Sequence, residues 1–283
     1  MHSTWKTISL FLGATVLAAS ISQVSAGELT DRIAGGKSIR IGFAYEEPYA
    51  YPDGNGKPAG FVNAYTIGLL HQMGYENVEP VVMDWGGLIP ALQSDRVDLI
   101  TGGLYILKAR CDSVKFSEPM AKVTNGFIVQ PGNPKGLTNY RDIAAKGATM
   151  VTGVGYSPII DGAKKDGVPE SKIMQVPGPS EILAAVLAGR ADVGVAGYPT
   201  ARDLANKSGD KVIVPDPGAL PESQQAWVGV AFRDGDTDFR DKFNEAQKTY
   251  LGTPSMMKAV AQYGYDEKML PGDKTTEWVC ANR

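Results

Sequence analysis

The 283-residue sequence predicts an α/β protein of two similarly built lobes joined by two chain crossings. Three observations carry that expectation. The first is an internal echo. LIPALQSDRVDLITGGL at 88–104 and ILAAVLAGRADVGVAGY at 182–198 each read as a short apolar helix, a polar turn bearing Arg-x-Asp, a strand and a glycine-bearing end. The second is a pair of strand-like segments, GFIVQ at 126–130 and WVGVAF at 227–232, that flank the second unit. The third is length: about 257 residues remain after a leader is removed, enough for two medium domains.

The elements follow in chain order. Met1 to Lys6 is basic, Ile8 to Ala19 is apolar, and Val24-Ser25-Ala26 ends in the small residues a signal peptidase requires, which predicts a cleavable signal peptide over 1–26. No cysteine lies near that site, and no later apolar run is long enough to span a bilayer, so export into a bacterial periplasm is the expected destination. Ile39–Ala44 reads as a strand, PDGNGK at 52–57 as a hairpin turn between Tyr51 and a Gly60-Phe61 strand, and Gly86–Leu92 as a helix. Ser94–Arg96 then turns the chain into a strand that ends at Gly102-Gly103. Ser157-Pro158 pairs an N-cap with a first-turn proline, so that helix end would favour an anion if it opens on a cleft. Ser180-Glu181 opens a helix that stops at Gly189, DGDT at 234–237 is a surface turn, and Phe239–Leu251 is helical. The first lobe is thus expected over 27–130 and 226–283, and the second over 131–225, with two crossings suited to hinge closure.

Composition narrows the function. Lys plus Arg number 28 against 31 Asp plus Glu, a net charge of −3, and about −4 once Lys6 leaves with the leader. That balance offers no basic surface for nucleic acid or anionic lipid. The sequence has no G-x-S-x-G elbow, H-E-x-x-H, P-loop or G-x-G-x-x-G fingerprint, and neither Gly/Asp turn has calcium-loop spacing. No enzyme, cofactor or metal is expected. His71, the one histidine after the leader, sits on a helix-like face with Leu69, Leu70 and Met73 and reads as packing or surface. Cys111 and Cys280 are the two cysteines of a chain bound for an oxidising compartment, which predicts one disulfide tying the tail to the first lobe. A reactive thiol is the alternative, but Cys111 has no neighbouring histidine.

The candidate site lies where strands end. In open α/β sheets ligands bind beyond the carboxyl ends of the strands. Gly102 and Gly103 would let a ligand approach the main chain there, and Arg110 supplies a planar fork of donors suited to a carboxylate. A solvated helix face is the competing reading of that arginine. Tyr45, Glu46, Glu47, Pro48, Tyr49 and Tyr51 follow the strand from Ile39 and set carboxylates among π faces, an arrangement that suits a small cation. A polar loop with its tyrosines packed over the domain edge is the competing reading, and the residues alone favour it.

The spacing of Asp98, Ile100, Gly103, Leu104, Ile106, Arg110, Val114, Phe116, Ser117 and Pro119 resembles the polar amino-acid family of periplasmic solute-binding proteins of ABC importers. Within it the sequence is most similar to ectoine/hydroxyectoine-binding proteins, through GFAYEEPYAY at 42–51, GLYILKARC at 103–111 and LPGDKTTEWVC at 270–280. The resemblance covers the chain after residue 37. It implies a two-lobed periplasmic binding protein of the Venus-flytrap, type II-like architecture, acting as a monomer that delivers a small zwitterionic solute to an inner-membrane ABC permease.

Carried over by position, it implies that Glu46 meets the solute's cation, Tyr49, Trp85 and Tyr105 provide aromatic faces, and Arg110 holds the carboxylate. Gly103 and Leu107 are expected to complete the first lobe's side, and Tyr156, Ser157, Gly197 and Tyr198 the second's, with Tyr156 and Tyr198 departing from the likeness. Two departures bear on the ligand. Ordinary amino-acid binders present an acidic residue five positions after the Arg-x-Asp aspartate, where Asp192 here leads to Gly197, and a serine or threonine where Tyr105 stands. A free α-ammonium would lose a partner, and leaving it buried and unpaired is costly. An ordinary polar amino acid, a cyclic-acid dehydratase using Glu46 as its acid, and a sensor that docks on a membrane receptor are the alternatives.

Overall fold

The computed structural model describes residues 1–2, 28–215 and 225–283. Beyond its first two residues, the expected signal peptide lies outside the described residues. The chain builds two five-stranded sheets. In the first, the order is Val78–Val82, Ile39–Phe43, Leu99–Ile100, Ala231–Phe232 and Lys115–Phe116. Ile39–Phe43 runs parallel to both its neighbours, and Ala231–Phe232 antiparallel to both of its own. In the second, the order is Gln225–Val228, Ala121–Val129, Val193–Gly197, Met150–Gly153 and Ile173–Val176. Val193–Gly197 is buried along its whole length, which is why it reads as a continuous apolar run and not as an alternation.

The echo has a structural counterpart. Helix Leu88–Gln93 leads to strand Leu99–Ile100, and helix Pro179–Leu187 leads to strand Val193–Gly197. The two Arg-x-Asp aspartates do the same work: Asp98 Oδ2 accepts the Arg40 N–H at 2.8 Å, and Asp192 Oδ2 accepts the Thr149 N–H at 2.9 Å. Each stitches the start of its strand to the parallel neighbour. Asp98, fully buried, also gathers Arg32 at 2.5 Å, Arg40 at 2.8 Å and Arg233 at 3.2 Å; burial pushes its carboxyl up, but the hydrogen bonds from Arg40 and Arg32 and the Arg40 charge hold it below the usual range.

Four local expectations need correction. Residues 126–129 belong to the second sheet, because they pair with Val193–Gly197. Ala121 and Val123 pack in the first lobe's core and Phe127, Ile128 and Val129 in the second's, so the first crossing lies inside the strand Ala121–Val129 and not after it. An apolar run reads alike in either sheet; the partner strand decides. The hairpin closes through Pro58–Ala59 pairing with Tyr51–Pro52, and Phe61 instead begins the helix Phe61–Gln72. Tyr156, not Ser157, caps the helix Ser157–Lys165; Pro158 has no N–H and the Ile159 N–H already bonds the Tyr156 carbonyl, so the anion site expected there is largely spent. Asp234–Asp236 forms a 3₁₀ turn leading into helix Thr237–Tyr250.

The tail returns to the first lobe. Cys111 and Cys280 are joined, 6.0 Å apart at Cα, linking helix Thr276–Asn282 to the short helix Lys108–Cys111. Trp227 Nε1 donates to the Pro271 carbonyl at 3.0 Å, and its ring meets Trp278 edge-on. No helix among the described residues is long and apolar enough to cross a membrane.

Candidate functional site

A small cavity lies between the lobes at the carboxyl ends of five parallel strands, the place expected for a ligand in such sheets. The first lobe contributes Glu46, Tyr49, Trp85, Gly103, Tyr105 and Arg110, and the second contributes Tyr156, Pro158, Ile159 and Gly197. Most of them arrive from a strand end, whereas Arg110 sits on the short helix Lys108–Cys111 and Pro158 and Ile159 on the helix Ser157–Lys165. Ile39–Phe43 delivers Glu46 and Tyr49, Val78–Val82 leads to Trp85, and Leu99–Ile100 leads to Gly103 and Tyr105. Met150–Gly153 leads to Tyr156, and Val193–Gly197 ends in Gly197 itself.

Gly103 has φ +82°, and a Cβ there would stand 2.6 Å from the Tyr49 ring, so glycine is required both by the backbone and by the packing of Tyr49. Tyr49 is further held against Phe61, with ring centroids 4.7 Å apart, and its hydroxyl lies 3.4 Å from that of Tyr105. Trp85 meets Tyr156 across the cleft at 5.7 Å, nearly edge-on.

Charge in the site sits on two groups. Arg110 Nη1 donates to the Tyr105 carbonyl at 3.0 Å, and no carboxylate among the described residues forms an ion pair with it. Burial pulls its guanidinium down to about 10. Glu46 is buried and accepts the Tyr156 hydroxyl, while Thr200 Oγ1 lies 3.0 Å from its other oxygen and 2.8 Å from the Glu47 carbonyl. One hydroxyl proton cannot fill both of those bonds. Thr200 donates to Glu46 Oε1 or to the Glu47 carbonyl, and Tyr156 donates to Oε2, while a neutral carboxyl would spare the site a buried charge. Burial favours that form and pushes Glu46 up to about 7, against the lowering effect of the Tyr156 and Thr200 hydrogen bonds.

Over residues 39–265 the sequence matches the bacterial extracellular solute-binding proteins, family 3. The chain belongs to that family. Its relatives include a probable amino-acid ABC transporter periplasmic-binding protein, y4tE, of Sinorhizobium fredii (strain NBRC 101917 / NGR234). The identity is 33% over 279 residues, spanning 95% of this chain and 92% of the relative. Among solved structures it is similar to EhuB in complex with hydroxyectoine, with TM-score 0.79 and 28% identity, covering 89% of this chain and 98% of that one. It is also similar to the ancestral amino-acid-binding protein AncCDT-1, a precursor of cyclohexadienyl dehydratase, with TM-score 0.73 and 25% identity, covering 83% and 99% of the two chains.

In this solute-binding protein, three of the residues singled out in the sequence stand apart from the cavity lining. Leu107 caps the short helix that carries Arg110, its carbonyl accepting the Arg110 N–H at 2.9 Å. Ser157 is exposed, and Tyr198 lies against Gly126 with its hydroxyl accepting from Arg202 at 3.2 Å. The sequence reading missed Pro158, Ile159 and Thr200. Thr200 was within reach of it: residues just past a strand's glycine-bearing end stand at the cleft, as Tyr105 does past Gly103 and Thr200 past Gly197. It missed Lys207 as well, which pairs with Glu47 across the cleft and with Asp203 at 2.9 Å on its own helix, Tyr198–Ser208.

Proposed function

We propose that this protein is the periplasmic substrate-binding component of an ABC importer and closes its lobes on a small zwitterion with a delocalised or alkylated cation, of the ectoine and hydroxyectoine class. The observation that carries the reading is the pairing of a desolvated, carboxylate-free Arg110 with a ring of aromatic faces in one cavity. Arg110 would take the ligand's carboxylate, a charge-assisted and directional bond. Tyr49, Trp85, Tyr105 and Tyr156 would face the cation, each contact contributing roughly 0.5 to 2 kcal/mol, with Glu46 as counter-charge. The likeness to EhuB supports the ligand class, and the likeness to the amino-acid relative supports the transport role.

Calorimetric titration with ectoine, hydroxyectoine, glycine betaine, proline betaine and the polar amino acids tests this directly. Binding by the ectoines, lost by at least a hundredfold in Arg110→Ala with the fold intact, is expected. Binding by amino acids alone would discard the ligand class and keep the transport role. A second reading, a dehydratase acting on a cyclic acid, has one observation in its favour: Glu46 is held near 7, the range a general acid needs. Conversion of a cyclic carboxylic acid on prolonged incubation would support it, and recovery of the compound unchanged removes it.

A further inference from the structure

We propose that Gly197 is the specificity-determining position of the cleft, because it is the receptacle into which the hydroxyls of Tyr49 and Tyr105 close; this rests on the lobe-closing function just given. Gly197 has φ −56° and ψ 141°, a backbone conformation open to any residue, so the second lobe itself does not require glycine here. The requirement comes from across the cleft. A Cβ on Gly197 would stand 2.5 Å from Tyr49 Oη and 2.7 Å from Tyr105 Oη.

The ring of Tyr49 is confined on two sides, and the main chain of Tyr105 is fixed. Tyr49 is wedged between Gly103 and Phe61, and Tyr105 is tied by a β-bridge to Val228. The two hydroxyls form one knob from the first lobe that fills the volume of an absent side chain on the second. Gly155, which faces Trp85 across the same cleft, differs: its φ of +80° demands glycine whatever lies opposite.

The chemical consequence concerns the ligand's cation. At Gly197 the second lobe presents main chain only, and any acidic side chain placed there would hold the lobes apart. A primary ammonium needs up to three acceptors, and the one carboxylate lining the cavity, Glu46, is already engaged by Tyr156 and Thr200. A delocalised or alkylated cation is satisfied by the π faces instead. Gly197 and the tyrosine pair therefore select the cation type by allowing closure only when the second lobe contributes no side chain at this point.

The test is a double-mutant cycle of Gly197→Ala against Tyr49→Phe/Tyr105→Phe, read two ways. The first reading is hydrogen exchange of the ligand-free protein over the segments around Tyr49 and Tyr156. The second is the dissociation constant for hydroxyectoine. In the native background Gly197→Ala should leave the unfolding midpoint unchanged, speed exchange in both segments at least threefold, and weaken hydroxyectoine binding more than tenfold. In the Phe/Phe background, where the clashing oxygens are gone, the same substitution should change either quantity less than threefold. An effect of Gly197→Ala that is absent, or equal in the two backgrounds, overturns the proposal. If hydroxyectoine fails to bind the native chain while the exchange cycle shows the coupling, the ligand assignment falls and the steric role stands.

Discussion

Glu46 is where a single residue sets a measurable property of the whole protein. Its carboxyl titrates near 7 in the folded protein against an ordinary value of 4.5. The unfolded chain therefore releases this proton first as pH rises, and native stability falls between about pH 4.5 and 7, by up to about 3 kcal/mol, then levels. Glu46→Gln should raise the ligand-free unfolding midpoint at pH 8 and leave it unchanged at pH 4, as read by thermal melts. Ligand reverses the sign. A cation beside Glu46 favours the carboxylate, so binding should release protons below pH 7 and tighten as pH climbs towards it. Titration in buffers of different ionisation enthalpy counts those protons, and in Glu46→Gln the count should drop to near zero. The aromatic character of Tyr49, Trp85 and Tyr105 was legible in the sequence, and so was the cation fork of Arg110. The raised titration of Glu46 was not, because it follows from burial beneath the second lobe, whose Tyr156 and Thr200 lie more than a hundred positions away and are brought near only by the second sheet.

At the scale of elements, the short helix Lys108–Cys111 carries Arg110 and is pinned by the bond from Cys111 to Cys280. The closed loop spans 169 positions, so removing it by Cys111→Ser/Cys280→Ser should cost about 4 to 5 kcal/mol of stability, measured by urea unfolding. Because Cys111 adjoins Arg110, the same double variant should also bind ligand several-fold more weakly. The helix-to-strand units were legible because their apolar periods and glycine ends are local signals. The crossing inside Ala121–Val129 was hidden, since every apolar residue of that strand is buried whichever sheet it joins. The cap of the helix Ser157–Lys165 was misplaced by one residue because serine before proline is a strong local signal that the turn at Gly153–Tyr156 overrides.

At the scale of the molecule, the lobes meet through the cavity and through a separate contact at its rim. Lys207 of the second lobe pairs with Glu47 of the first, and the lysine is half exposed. Such a pair contributes roughly 0.2 to 1 kcal/mol, so Lys207→Ala should weaken binding no more than about fivefold, and the deficit should shrink in high salt. Titrations at low and high sodium chloride check both points. A loss that persists unchanged in salt would assign Lys207 a role other than charge pairing.

The strand Ala231–Phe232 lies between Leu99–Ile100 and Lys115–Phe116 in the first sheet. A ribosome or export channel delivers those flanking strands long before the one that separates them. While it is awaited, the earlier half of the first lobe has a gap one strand in from the edge of its sheet and two unpaired edges, whereas the whole helix-and-strand set from Met150 to Gly197 has already emerged. The lobe that comes second in the architecture is thus the one able to reach all of its native pairing but that of the edge strand Gln225–Val228 first, and the opening segment of the chain must stay unaggregated until Ala231–Phe232 arrives.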